Sequence, residues 1–212
     1  MVEQRTENPR VEGSSPPPTT IFIMEKSSSK KIITTALIAA IYASCTLVCN
    51  LVLPVISWGL VQIRISEAIC VVALFTPLSI PGLTIGCVIA NLCNVAISGT
   101  GILGMFDVVF GSLATCIGAI ICWKLRHKKV IAIGAFVLTN AIIIPAYLPF
   151  LMMGAGIYTI PFTDIALDGA YVWMYLFGVV SLAIGEAFSV FVLGIPLSNA
   201  ISVALKDRVD KN

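Results

Sequence analysis

The sequence predicts an all-α integral membrane protein of six transmembrane helices, with both termini on the cytoplasmic side. Three observations predict it. Hydrophobic residues make up 58% of the 212 and charged residues only 11%, with a mean hydropathy of +1.00, whereas a soluble domain is about one quarter charged. The apolar residues come in long runs that lack the period-two alternation of a barrel strand, and lipid admits only helices or closed barrels because it offers backbone groups no water. The Lys and Arg residues are clustered so that an even number of crossings puts every cluster on one side.

Residues 1–31 hold nine charges and the run Ser14-Ser15-Pro16-Pro17-Pro18. They carry too little apolar area to order themselves and are read as a disordered tail, with Met24 as an alternative start. The first span is Ile32–Leu53, about 22 residues, enough to cross roughly 30 Å of hydrocarbon at about 1.5 Å per residue. Pro54, Trp58 and Gly59 mark a turn, and Arg64–Ser79 forms a short second span broken at Pro81. Gly82–Ser98 is the third span. The Gly99-Thr100-Gly101 turn leads into the fourth, from Leu103 to Leu125, which Arg126, His127, Lys128 and Lys129 end. The fifth is Val130–Met153, kinked by Pro145 and Pro149, and a loop with Pro161, Asp164 and Asp168 follows. The sixth lies within Tyr171–Leu205, bent or ended by Pro196. Residues 32–205 thus make the membrane domain, and 206–212 a cytoplasmic tail.

Orientation follows from charge, because cytoplasmic loops collect Lys and Arg. Lys26, Lys30 and Lys31 precede the first span, Lys124 to Lys129 follow the fourth, and Lys206, Arg208 and Lys211 follow the sixth. With six crossings all three clusters are cytoplasmic, and the loops with Trp58, Gly99 and Asp164 face outward.

The seven cysteines all sit inside apolar runs with no CxxC pair, so they are read as free, small core or lipid-facing residues. The single histidine, His127, lies in a basic loop, which disfavours metal chemistry. No GxxxxGK[ST], HExxH or GxSxG motif is present, and no doubled pattern of broken spans marks an inverted repeat. No cofactor, metal or nucleic-acid partner is expected.

Four charges lie within or at the edges of the spans: Arg64, Glu67, Asp107 and Glu186. An ionised group deep in a bilayer costs about 2.5–3.5 kcal/mol on insertion scales, so such residues face a cavity or a partner. Arg64 and Glu67, three apart, share a helix face and either neutralise each other or line a site. Asp107 either joins them or touches solvent. Glu186 stands about 22 Å down its helix with no basic residue predicted at that depth. Asn91 and Asn140 fall at similar depth, with Asn94 a turn further out. Amides and carboxylates in hydrocarbon demand partners, so Asn91, Asn140 and Glu186 read as a ligand pocket or as an interhelical clamp. On the first span Ala36 and Ala40, with Ala39 and Ala43 one residue on, form small-xxx-small pairs that serve close packing within the chain or against another subunit.

Several segments together resemble the QueT family: RISEA at Arg64–Ala68, LFTP at Leu74–Pro77, IPGL at Ile80–Leu83, GCVIAN at Gly86–Asn91, DVVFGSLAT at Asp107–Thr115, and Gly185-Glu186. Members of that family are substrate-binding S components of energy-coupling factor (ECF) transporters, associated with uptake of queuosine precursors. The resemblance runs from about Lys30 to Lys206. It implies a six-helix subunit of the cell membrane that captures its substrate from outside and works with a shared membrane coupling subunit and two ATPases. It also implies that Ala36 and Ala40 contact the coupling subunit. The implied guest is a deazaguanine such as prequeuosine or queuine, with Glu67, Arg64, Asn91, Asp107, Asn140, Glu186 and Trp58 as the residues around it. Glu186 suits the adjacent ring N–H and amino donors, and Trp58 or Tyr147 suits stacking on the ring.

Three rivals stand beside this reading. A small membrane enzyme would use Glu67, Asp107 and Glu186 as acid and base. An S component for another vitamin-like substrate would keep the architecture and change the guest. An assembly subunit would use the polar layer only to clamp helices.

Overall fold

The structure, a computed structural model, describes residues 18–57, 60–154, 156–160, 164–166 and 171–209. The chain divides into two units, Met1–Ile33 and Thr34–Asn212. The described part of the first is helical backbone from Pro18 onward. Five helices in the described chain are long and apolar enough to cross a membrane: Ser28–Val52, Ser79–Ser98, Gly101–Lys124, Lys129–Ala146 and Tyr171–Lys206. The helix that carries the first of these begins at Pro18 rather than Ile32, so residues 18–31 are its N-terminal part.

The segment expected as a short second α-helical span is wound differently. Arg64 is extended (φ −103°, ψ 104°), and Ile65–Leu74 is a ten-residue 3-10 helix. A 3-10 helix rises about 2.0 Å per residue against about 1.5 Å for an α-helix, so ten residues reach about 20 Å instead of about 15 Å. Glycines on the last helix hold this segment close. A side chain at Gly178 would meet Leu60, one at Gly185 would meet the backbone carbonyl of Gln62, and one at Gly194 would meet Val71 and the Ala68 carbonyl. The segment from Leu60 to Val71 therefore runs beside the helix from Gly178 to Gly194, in the same direction, over about 24 Å.

Proline and glycine set most of the other boundaries. Pro81 does not end a helix; it occupies the first turn of Ser79–Ser98, where its missing N–H costs nothing. Gly99 ends that helix in the left-handed region (φ 66°), its N–H bonded to the Val95 carbonyl at 3.1 Å, a conformation that favours glycine. The expected fifth span, Val130–Met153, is divided: Lys129–Ile143 is α-helical, Ile144–Ala146 is 3-10, and Leu148–Gly154 is a separate short helix. Pro196 neither ends nor sharply breaks the last helix, which continues to Val209. Instead Phe188–Gly194, just before it, is π-wound, and this wider winding accommodates a ring that clashes with the carbonyl of an α-turn.

Three apolar clusters surround a polar layer. One gathers Ile38, Tyr42, Cys70, Leu83, Cys122, Ala132 and Phe136, a second Leu60, Ala141, Ile144, Tyr147, Met174 and Leu182, and a third Val71, Ile133, Val137 and Val190. The first lies next to the basic turn after Lys124. At this end Lys129 Nζ donates to Asn199 Oδ1 at 2.6 Å, which ties the basic turn to the last helix. Between the clusters lie the buried charges. Asn140 precedes Ala141 and follows Val137, and Glu186 lies between Leu182 and Val190.

Gly185 has no room for a methyl group because the obstacle is a backbone carbonyl, which cannot rotate away. Gly134 has nothing within 4 Å of the same position. Gly185→Ala is expected to lower the melting midpoint of the detergent-solubilised protein by several degrees. Gly134→Ala should leave it unchanged or raise it, since alanine is favoured in helices by roughly 0.5–1 kcal/mol. Equal midpoints for the two variants would refute the close approach.

Candidate functional site

Among the described residues the buried formal charges are Arg64, Glu67, Asp107 and Glu186, one cation against three carboxylates. Each acid stands at a departure from α-helical winding. Glu67 is on the 3-10 helix, Asp107 opens the π-wound turn Asp107–Gly111, and Glu186 lies two residues before the π-wound stretch Phe188–Gly194. Such departures redirect side chains and release carbonyls from the regular ladder, which is why they gather at functional sites.

Glu67 is the most completely satisfied. Tyr42 donates its hydroxyl to Oε1 at 2.8 Å, Cys70 donates its thiol to Oε2 at 3.3 Å, and Arg64 Nη1 lies 3.9 Å from Oε1. Arg64 is not the private partner of Glu67. It is also within electrostatic reach of Asp107 and Glu186, while its Nε has no hydrogen-bond partner. One guanidinium thus serves three carboxylates.

Asp107 is built into a second group. Tyr147 donates its hydroxyl to Oδ1 at 2.8 Å, and Asn91 Nδ2 donates to the Asp107 backbone carbonyl at 2.8 Å. A backbone carbonyl has two lone pairs, so the Asp107 carbonyl accepts from the Asn91 side chain beside any bond it makes within its own helix. Asn91 Nδ2 also lies 3.5 Å from Cys87 Sγ, which Thr115 approaches at the same distance. Gly111 completes the group. A Cβ there would be 3.1 Å from Asn91 Nδ2, 3.1 Å from Asp107 Oδ1 and 3.2 Å from the Tyr147 hydroxyl.

Glu186 is fully buried, and neither of its oxygens has a hydrogen-bond partner among the described residues. The Asn140 amide lies beside it, and Asn140 Oδ1 is itself unpartnered. A buried carboxylate left without donors costs several kcal/mol. The site therefore offers acceptors at Glu186 and Asn140 to whatever donates to them.

The residues singled out from the sequence largely converge. Arg64, Glu67, Asn91, Asp107, Asn140 and Glu186 are all buried, and Asp107 points inward with Arg64 rather than to solvent. Asn94 goes elsewhere, accepting from Asn50 Nδ2 at 3.4 Å. Trp58 lies outside the described residues. Ala36 and Ala40 are exposed, while Ala39 and Ala43 are buried, and Gly86 closes against Ala39. The inner alanines therefore do the packing within the chain, and the outer pair does not. Tyr42, Cys70, Cys87 and Thr115 were missed. Tyr42 carried a signal, being a tyrosine in mid-span rather than at a membrane interface, where tyrosines concentrate. The seven cysteines are free, as expected from their positions, and among the described residues no three of His, Cys, Asp and Glu gather as metal ligands would.

A family model described as QueT transporter matches residues 32–203. No curated protein and no solved structure matches the chain.

Tyr42→Phe removes one of the two hydrogen bonds that hold the Glu67 carboxylate and leaves the packing in place. The variant should fold yet lose about 1–3 kcal/mol of stability, the penalty of a buried acceptor deprived of its donor, read as a lower melting midpoint without ligand. A midpoint equal to wild type would mean that Tyr42 does not hold Glu67.

Proposed function

The chain belongs to the QueT transporter family, is a multi-pass membrane transporter and not an enzyme, and from that premise we propose that it is the substrate-binding S component of an ECF importer for a queuosine precursor. The observation that carries this reading is Glu186, a fully buried carboxylate with two open oxygens in a layer where three acids share one cation. A helix clamp would close those oxygens with donors from neighbouring helices. Open acceptors in a layer with an excess of formal negative charge suit a guest rich in donors and carrying positive charge.

A deazaguanine has that character. Its ring N–H and adjacent amino group make a two-donor edge that Glu186 accepts as a bidentate pair, and the Asn140 carbonyl oxygen takes a further donor. The layer is also enclosed by three apolar clusters, which exclude water and strengthen each polar contact. Prequeuosine and queuine both meet these demands.

The chain would cross the cell membrane six times, the stretch of Leu60–Leu74 acting as the second crossing alongside the last. Both run in one direction, as the second and sixth of six alternating crossings must, and both termini are then cytoplasmic with the basic turns. The body is residues 32–205, with residues 1–31 and 206–212 as tails. A membrane coupling subunit and two ATPases would supply energy. The exposed Ala36 and Ala40 make a shallow stripe where a helix of the coupling subunit can approach closely.

Two measurements test this. Glu186→Gln keeps the shape but turns an acceptor oxygen into a donor, so deazaguanine affinity by calorimetry should fall about tenfold or more while expression is unchanged. Unaltered affinity would remove Glu186 from the site. Trp at Ala36 or Ala40 should abolish uptake in cells while the detergent-solubilised protein binds as wild type; loss of binding as well would mean that the stripe supports the fold instead.

A further inference from the structure

We propose that the basic turn joining the helices Gly101–Lys124 and Lys129–Ala146 binds the headgroup of an anionic phospholipid. The proposal rests on the embedding of these helices in a bilayer and on no property of the transported guest. Residues 124–129 read Lys-Leu-Arg-His-Lys-Lys, and no Asp or Glu occurs between Asp107 and Asp164. The turn therefore carries positive charge that nothing near it in sequence neutralises. Nor does an acid reach it in space: among the described residues the one ion pair is Arg64 with Glu67. Lys124, His127 and Lys128 are exposed, and Lys129 bonds to a neutral amide, that of Asn199.

The turn is a fixed scaffold for these charges. Leu125 N–H donates to the Ile121 carbonyl at 2.9 Å, Lys128 N–H to the Leu125 carbonyl at 2.8 Å, and Ala132 N–H to the Lys128 carbonyl at 2.9 Å. Arg126 is held twice, its guanidinium 3.9 Å from the centre of the Trp123 ring and its Nη1 donating to the Trp123 carbonyl at 3.1 Å. An aromatic face and a carbonyl orient a guanidinium but leave its charge and its other N–H groups to an anion.

Two observations choose a lipid over an acidic protein surface. Trp123 lies at the end of a membrane-spanning helix, the level at which tryptophan prefers the headgroup region. The patch also runs into apolar surface without a break. Leu125, Val130 and Ile131 are exposed within and just after the basic turn, and Leu138 and Ile142 continue the exposed line along the face of Ile131. A phospholipid has the same order, an anionic phosphodiester followed by acyl chains, and Lys/Arg clusters at the end of a span attract it. An acidic protein surface would match the charge and leave the apolar border unmatched.

The test uses the full-length purified protein in phosphatidylcholine vesicles containing, in turn, phosphatidylglycerol or phosphatidylcholine with a nitroxide quencher near the headgroup. The emission of Trp123 is taken as the difference between each protein and its Trp123→Phe version. Half-maximal quenching should need about one tenth as much of the anionic quencher as of the zwitterionic one, and high salt should shrink that preference. Replacing Lys124 and Lys128, both exposed, by Gln should lower the preference several-fold, and replacing both by Arg should keep it. Equal quenching by the two lipids in wild type overturns the proposal. So does a preference untouched by the two Gln substitutions together with Arg126→Gln, since the attraction would then come from charges elsewhere. Equal quenching combined with loss of uptake in the Gln variant would assign the patch to an acidic protein surface instead.

Discussion

Three carboxylates buried with a single guanidinium are the constraint on which this structure turns. In a low-dielectric interior the attraction between Arg64 and any one acid is strong, but a lone cation cannot serve three partners in full geometry. The molecule resolves this unevenly. Glu67 is closed by a tyrosine, a thiol and the guanidinium, Asp107 by a tyrosine, and Glu186, with the Asn140 amide beside it and Arg64 within reach, by no geometric hydrogen bond among the described residues. This gradient from closed to open sets the layer apart from a purely structural one, which gains by closing every member.

Placing the acids this way bends the backbone rules around them. A 3-10 helix at Glu67 stretches a short run to the depth where Arg64, Tyr42 and Cys70 meet it. Glycines then bring the elements together, Gly185 admitting the Gln62 carbonyl beside Glu186 and Gly111 admitting three polar groups at once. Local irregularity and close approach are two halves of one solution: non-α winding turns the polar group inward, and a missing side chain lets its partner reach it.

Much of this was legible in the sequence, for identifiable reasons. The long spans follow from hydropathy, and the buried charges stand out because a lipid-embedded ion is costly wherever it occurs. Depth counted along helices brought Asn91, Asn140 and Glu186 to one level, and the structure buries all three. The winding at Ile65–Leu74 was not legible, since the periodicity of ten apolar residues does not separate 3-10 from α. Nor was the inward placement of Asp107 or the pairing of Asn94 with Asn50, both of which depend on how neighbouring helices rotate against each other. Spacing also left open which alanine pair packed inward. Only the close approach of Gly86 to Ala39 decides it.

The first helix presents two distinct faces. Tyr42 and Ala39 sit on the inner face of the first helix, Tyr42 holding Glu67 and Ala39 seated against Gly86. Ala36 and Ala40 sit on the outer face, less than two turns away. A rotation of this helix large enough to move the outer stripe would break the bond from Tyr42 to Glu67 and lift Ala39 from a contact that has no slack, since the atom opposing Gly86 is backbone. Inner and outer faces are therefore locked to one orientation by a short hydrogen bond and a glycine. The exposed stripe is held in place by the same polar layer that holds the open carboxylate, and this rigidity makes it a fixed surface.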